Sequence, residues 1–279
     1  NQMKRFWICS VISFACWMHL SGQVSLLPTA VFIDESTGIA SLEVINPTDQ
    51  TQEVSISFSF AYLGSDLSGN LMMKEDSAGV ARHHDISDDV RVFPRAFLLP
   101  SRGKQTVRFQ VLPRQNRPDR MYWTRVIITS GVASGDVESA LGETAIGTRV
   151  SFLFRQNIPL FYRKGAVLTG LQITDVQMIP ESRRLVAIAR LQSTGNAPFN
   201  GSVTFRLHQS DGRIVAEQKS SSVIYFNTVR RFELLLPAET LPPGRYSAEL
   251  YFETSRRDVL PADLVQAEPV RYVTAIQIE

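Results

Sequence analysis

Apolar residues recur at every second position in many short runs of this 279-residue sequence, and that period is what most constrains its fold. The clearest run places Val54, Ile56, Phe58 and Phe60 between serines. A side-chain period of two is typical of a β-strand with one buried face. Turn residues follow such runs about every 8–12 positions, and no run keeps a helical period over several turns. The sequence therefore predicts an all-β protein made of immunoglobulin-like β-sandwiches.

The chain is long enough for two such sandwiches in tandem. We predict a first domain over residues 23–163 and a second over residues 164–279. Residues 1–22 have the pattern of a cleaved secretory signal, with Lys4 and Arg5 before an apolar stretch and the small residues Ser21 and Gly22 at its end. The apolar stretch is shorter than the ~20 residues of a membrane helix, and a retained membrane anchor is the alternative.

Charge and cysteine content exclude several classes of function. Both cysteines, Cys9 and Cys16, lie in the predicted signal, so the rest of the chain has no disulfide. Without Lys4 and Arg5, the 29 basic residues fall to 27 and equal the 27 acidic ones. A neutral chain is not expected to bind nucleic acid or to insert stably into a membrane.

The sequence contains no Walker loop, zinc-protease motif, nucleophile elbow or dinucleotide-binding turn, so we expect no enzyme activity, cofactor or metal. Residues 64–89 are polar and rich in turn residues, and they contain His83 and His84. Two adjacent histidines without cysteine are predicted to be solvated rather than to bind a metal. The pair Arg230 and Arg231 is likewise predicted to lie at a solvated strand end.

Residues 149–163 form an unusually apolar predicted strand. Val150, Phe152 and Phe154 alternate with residues that include Leu153, so both faces of the strand are partly apolar. Such a strand is either central in a sheet or kept at an edge for a partner. Residues 131–147 just before it are small and polar, and they are predicted to form a mobile loop.

Four segments of the first predicted domain carry a family pattern. In chain order they are Thr29-Ala30-Val31-Phe32 with Leu42-Glu43-Val44-Ile45-Asn46; Phe93-Pro94-Arg95-Ala96-Phe97-Leu98-Leu99-Pro100 with Gln105-Thr106-Val107-Arg108-Phe109; Pro118-Asp119-Arg120 before Tyr122-Trp123; and Ile158-Pro159-Leu160-Phe161-Tyr162-Arg163. Their order and spacing resemble those of PapD-like periplasmic chaperones of the chaperone–usher pilus pathway, in a divergent or archaic form.

The resemblance implies two immunoglobulin-like domains set at an angle, in an L or boomerang shape. It also implies a periplasmic chaperone that binds pilus or fimbrial subunits by donor-strand complementation and delivers them to an outer-membrane usher. The donor side chains would be Val150, Phe152 and Phe154. The alternative is that these three side chains fill the core of their own domain. The resemblance also leaves open self-association through the same strand edge.

The chain departs from the family at two basic positions that hold the carboxylate of the subunit. Ala30 and Pro159 stand where the resemblance implies an arginine and a lysine. Arg149, Arg155 and Arg163 flank the predicted donor strand and are candidates to take over, because arginine binds carboxylates through two parallel hydrogen bonds. The competing function is a structural or adhesive cell-surface protein of two sandwiches without chaperone activity.

Overall fold

The structure is a computed structural model that describes residues 23–75, 79–112, 116–133, 152–237 and 241–278. Strands make up most of these residues, and the all-β prediction is confirmed. The predicted signal at residues 1–22 lies outside the described residues.

Eleven strands precede the second sandwich among the residues that are described. They are β1 (Ser25–Leu27), β2 (Val31–Asp34), β3 (Ile39–Ile45), β4 (Gln52–Ser59), β5 (Ala61–Ser65), β6 (Leu71–Glu75), β7 (Val90–Phe93), β8 (Ala96–Leu99), β9 (Lys104–Val111), β10 (Arg120–Val132) and β11 (Leu153–Lys164). Nine of them build the first sandwich, and β5 and β6 form a separate two-stranded sheet. One sheet has the order β1-β3-β9-β7 and the facing sheet has the order β2-β11-β10-β4-β8. The alternating apolar residues of both sheets meet in one core that includes Leu42, Phe109, Val126 and Leu160.

The first strand of the sandwich is divided between its two sheets. β1 pairs with β3, and after the cis peptide bond between Leu27 and Pro28 the chain enters β2, which pairs in parallel with β11. This arrangement places β2 at the edge of the second sheet.

The second sandwich contains seven strands in the described part of the chain. They are β12 (Thr169–Glu181), β13 (Arg184–Gly195), β14 (Phe199–Gln209), β15 (Ile214–Ile224), β16 (Thr228–Leu235), β17 (Gly244–Glu253) and β18 (Val270–Ile278). Their sheets have the orders β12-β13-β16 and β15-β14-β17-β18. Leu191, Phe205, Leu250 and Phe252 lie in the core between them. The boundary between residues 163 and 164 stays a prediction; β11 ends at Lys164 and β12 begins at Thr169.

Both sandwiches contain the same tyrosine contact. The hydroxyl of Tyr122 donates a hydrogen bond to the carbonyl oxygen of Pro118 at 2.7 Å, and that of Tyr246 donates to Pro242 at 2.8 Å. In each case a strand-borne tyrosine satisfies a backbone carbonyl four residues earlier in the preceding turn. This is the tyrosine corner found in immunoglobulin-like sandwiches.

The segment 64–89, which is rich in turn residues, contains regular elements that the sequence did not indicate. It contains most of the β5–β6 hairpin, a short helix α1 (Val80–His84) and a 3₁₀ turn (Ser87–Asp89). All five residues of β6 are exposed, and an exposed strand leaves no apolar period in the sequence. The tip of the hairpin contacts the second sandwich, where the N–H of Arg231 donates to the carbonyl oxygen of Gly69 at 2.9 Å.

Arg230 is buried, which corrects its predicted place at a solvated strand end. Only 5% of the residue is exposed, because the alternation along β16 points Arg230 inward together with Phe232 and Leu234. Its guanidinium lies 5.7 Å from the ring centroid of Phe232, and burial lowers the pKa of Arg230 to about 10. Contact with an aromatic face offsets part of the cost of burying the charge.

Candidate functional site

Strand β11 has two different halves. β10 pairs with it in antiparallel fashion along its whole length, from Leu153 to Lys164. β2 pairs with it only from Leu160 to Arg163. Within the described residues, the stretch from Leu153 to Pro159 therefore has no strand partner on the side away from β10. As far as the described residues show, that half of β11 is an open sheet edge.

The apolar face of β11 continues past the core of its own sandwich. Ile158, Leu160 and Tyr162 point inward and are buried in the core. Phe154 and Phe152 share that face, but Phe154 is half-buried and Phe152 is 68% exposed. On the opposite face, Leu153 is 75% exposed. The open edge therefore carries large apolar side chains on both faces.

The structure separates the predicted arginines. Arg149 lies outside the described residues, as does Val150. Arg155 is exposed and lies opposite Thr129 of β10. Arg163 lies eight positions after Arg155 along the strand, which corresponds to about 26 Å. One ligand carboxylate therefore cannot contact both side chains in this conformation.

Arg163 already has other contacts. Its Nη2 donates to the carbonyl oxygens of Asp263 at 3.0 Å and Ala262 at 3.4 Å, and its Nη1 lies 3.7 Å from a carboxylate oxygen of Asp34. These contacts join the end of β11 to the second sandwich. Arg163 therefore has a structural role.

A buried arginine that the sequence reasoning missed lies opposite Pro159. Arg125 on β10 is the cross-strand neighbour of Pro159 and is only 4% exposed. Its Nε donates to the carbonyl oxygen of Ala61 at 3.2 Å, whereas its Nη2 has no hydrogen-bond partner. Only the register of β10 against β11 reveals this neighbour, because 34 positions separate the two residues in the sequence. Ala30, at the other expected basic position, is buried.

An aromatic cluster fixes the far end of β11 against the second sandwich. Trp123 and Phe161 of the first sandwich contact Tyr225 of the second, with ring centroids 4.9 and 6.2 Å apart. Met121 and Ala197 complete the buried part of this cluster. The open edge of β11 thus begins where the contact between the sandwiches ends.

No group of three or more His, Cys, Asp or Glu side chains among the described residues is arranged to hold a metal ion. In the same part of the chain, no helix has the length and apolar character needed to cross a membrane.

Neither a comparison with protein-family models nor a comparison with curated protein sequences finds a match for this chain. Solved structures similar to it include the Escherichia coli chaperone DraB, with 14% identity, a TM-score of 0.42, and coverage of 92% of this chain and 98% of that one.

Two further similar structures come from complexes. A chain of the CsuC–CsuE chaperone–tip adhesion subunit pre-assembly complex, from archaic chaperone–usher Csu pili of Acinetobacter baumannii, is 13% identical with a TM-score of 0.44, covering 89% of this chain and 97% of that one. A chain of the Salmonella enterica SafA pilin–SafB chaperone complex is 15% identical with a TM-score of 0.42, and the match covers 90% of this chain and 96% of that one. These proteins belong to the class that the four sequence motifs resemble. Their TM-scores are below 0.5, so the case for a function rests on β11 itself.

Proposed function

We propose that this protein is a periplasmic chaperone that binds pilus or fimbrial subunits through strand β11 and delivers them for assembly at an outer-membrane usher. The observation that carries the proposal is the open edge from Leu153 to Pro159, which begins next to the exposed Phe152. An open strand edge pairs readily with a strand of another chain. Flanking apolar side chains add affinity and specificity to such pairing.

Binding at this edge would bury the side chains that the sandwich core does not use. Phe152 and Phe154 lie on the face that would enter the groove of a subunit lacking a strand. Each large apolar side chain buried in this way contributes roughly 1.5–3 kcal/mol. Val150, by its position in the same alternation, is proposed as the third donor side chain. A subunit bound in this way would have its own open groove filled, which prevents its aggregation.

The carboxylate contact of a subunit is proposed to involve Arg155 rather than Arg163. Arg155 is exposed beside the open edge, whereas Arg163 is held by Asp263 and Asp34. Arg125 is a further candidate, because it lies opposite Pro159 and has a guanidinium nitrogen without a partner.

The test is co-expression with a pilus subunit encoded beside this protein, followed by co-purification. The double variant Phe152→Ser, Phe154→Ser is expected to lose the complex. Val273→Ser is the matched control, because Val273 is 46% exposed on β18, the last strand of the second sandwich. This control is expected to bind the subunit like the unchanged protein.

Equal binding by the double variant would show that β11 is not the donor strand. A protein found at the cell surface after fractionation, with no subunit attached, would support the structural or adhesive alternative.

A further inference from the structure

A cavity of about 510 Å³ lies between the two sandwiches, and the proposed function does not use it. Its wall comes from the end of α1, the first residues of β10 and two turns of the second sandwich. His84, Arg120 and Trp123 line one side, and Asn196 and Phe226 line the other. The cavity lies at the opposite end of β10 from the open edge of β11.

Hydrogen bonds across the sandwich boundary hold the wall of the cavity in place. The side-chain oxygen of Asn196 accepts from the N–H of Leu168 at 2.8 Å, and its amide nitrogen donates to the carbonyl oxygens of Asp119 and Ala166 at 2.8 and 2.9 Å. The carbonyl oxygen of Asn196 also accepts from the N–H of Met121 at 3.1 Å. These bonds fix the side of the cavity wall that Asn196 forms.

Aromatic rings form much of the cavity lining, and they include a histidine that was predicted to be solvated. That prediction is wrong for His84, because its ring stacks on Trp123 at a centroid distance of 4.4 Å and meets Phe226 at 5.5 Å. Burial, followed by the charges of Arg120 and His83, lowers the pKa of His84 to about 4. The imidazole is therefore neutral at neutral pH and behaves as part of the aromatic wall.

The same wall contains polar atoms without partners. Trp123 is 1% exposed, and its indole N–H donates to no acceptor. The Nε of Arg120 and the Nδ1 of His84 are also buried without partners. Buried polar groups normally form hydrogen bonds, so three unpaired atoms buried within the residues of one cavity wall call for an explanation.

Arg120 gives the cavity a positive character. Its Nη1 makes one long hydrogen bond, 3.4 Å, to the carbonyl oxygen of His83. The cavity-lining residues of the described chain include no aspartate or glutamate. A ligand that complements this wall has an anionic group for Arg120 and a flat apolar part for the rings.

We propose that the cavity binds a small aromatic carboxylate. The carboxylate accepts hydrogen bonds from the Arg120 guanidinium and the Trp123 indole N–H, and the ligand ring packs against Phe226. Arginine suits a carboxylate because its planar group can donate two parallel hydrogen bonds. The indole N–H lies beneath the cavity surface, so binding requires the His84 ring to move off Trp123.

The test uses the purified full-length protein and two matched probes, sodium benzoate and its uncharged analogue benzamide. Isothermal titration calorimetry is expected to give a dissociation constant of about 1 mM or lower for benzoate, which is a ligand of few heavy atoms. Benzamide is expected to bind at least about tenfold more weakly, because it lacks the charge that strengthens a hydrogen bond to arginine. In ¹⁵N-labelled protein, benzoate is expected to shift the indole N–H resonance of Trp123, which is assigned with Trp123→Phe.

Three variants separate the site from general binding. Arg120→Gln is expected to reduce benzoate affinity at least about tenfold by removing the charge. Arg245→Gln, at an exposed position that does not line the cavity, is expected to change nothing. Asn227→Trp places a large ring at an exposed position of the cavity wall and is expected to abolish binding without removing a buried contact.

Equal affinities for benzoate and benzamide would overturn the proposal. It also fails if benzoate shows no saturable binding, or if Arg120→Gln and Asn227→Trp, folded by their melting curves, bind benzoate like the unchanged protein.

Discussion

Among the described residues, the last strands of the two sandwiches, β11 and β18, each have an edge without a strand partner, over half of β11 and over all of β18, and their side chains differ. β18 lies at the end of its sheet and pairs along its full length with β17. Its inward residues, among them Tyr272 and Ile276, pack against the core of the second sandwich. In β11 the inward face extends beyond the core to Phe154 and Phe152. The two strands therefore differ in whether their own core covers the apolar face, and this difference supports the proposal that β11 is the binding strand.

The outward side chains of β18 also differ from those of β11. Arg271 on β18 forms an ion pair with the buried Glu249 of β17. Charged residues on an edge strand oppose pairing with other chains. The corresponding face of β11 presents Leu153, with Arg155 as its nearest charge. Each outward face thus carries one arginine, and the two edges differ in that Arg271 is paired with Glu249 whereas Leu153 leaves a large apolar side chain exposed.

The largest expected effect contrasts the two halves of β11. Leu160 is fully buried, so Leu160→Ala should lower the free energy of unfolding by about 2–5 kcal/mol. Phe152→Ala should change it by about 0.5 kcal/mol or less, because the ring is mostly exposed. Ile276 on β18 is partly buried, so the loss of unfolding free energy in Ile276→Ala should lie between these two values, at about 1–2 kcal/mol. Urea unfolding measures all three, and a large loss for Phe152→Ala would show that the ring belongs to the core.

The next largest effect on stability concerns the contact between the tip of the β5–β6 hairpin and β16. A Cβ atom added to Gly69 would lie 2.8 Å from the backbone nitrogen of Arg231, and φ at Gly69 is +84°. Gly69→Ala should therefore cost about 1–2 kcal/mol and separate the hairpin tip from β16. Hydrogen exchange of the Arg231 amide should speed up in this variant. Gly212→Ala is the control, because φ is +87° there with no atom within 4 Å of the added Cβ, so it should lose stability without exposing that amide.

The two tyrosine corners test whether the sandwiches are otherwise alike. Tyr122→Phe and Tyr246→Phe each remove one hydrogen bond of nearly equal length and leave one carbonyl oxygen without its donor. Each change should lower the unfolding free energy by about 1 kcal/mol. Calorimetric melting compares the two. A cost confined to one variant would show that the two corners are not equivalent.

The last effect concerns pH and is absent at neutral pH. Because the pKa of His84 is about 4 in the folded protein and 6.5 is its ordinary value, the unfolded chain binds the proton first as pH falls. The contribution of His84 to stability is therefore complete above pH 6.5 and declines between pH 6.5 and pH 4. His84→Phe should remove this part of the pH dependence of urea unfolding while keeping the stack on Trp123. If the unfolding free energy of His84→Phe falls with pH between 6.5 and 4 as steeply as that of the unchanged protein, His84 does not titrate as described.

The sequence alone predicted the strands with one covered face, because burial on one side leaves a period of two. Residues 54–60 and the inward residues of β18 are examples. It failed for β6, whose residues are all exposed, and for Arg230, whose inward direction depends on strand register. It also failed for His84, because the ring that covers it belongs to a strand about forty positions away.

The predicted site stays a prediction, and the sequence showed only part of the geometry around it. The alternation of Phe152 and Phe154 was visible in the sequence, as was the family pattern around Leu160 and Phe161. The partial cover of β11 by β2 and the position of Arg125 opposite Pro159 depend on contacts between distant segments. No local pattern encodes such contacts.

The hydrogen bond between Gly69 and Arg231 is one of several contacts that join the two sandwiches, together with those of Asn196 and Arg163. A joint held at several separate points resists both bending and twisting, because a motion that keeps one contact breaks another. A bound subunit would therefore have to break at least one of these contacts to change the angle between the sandwiches.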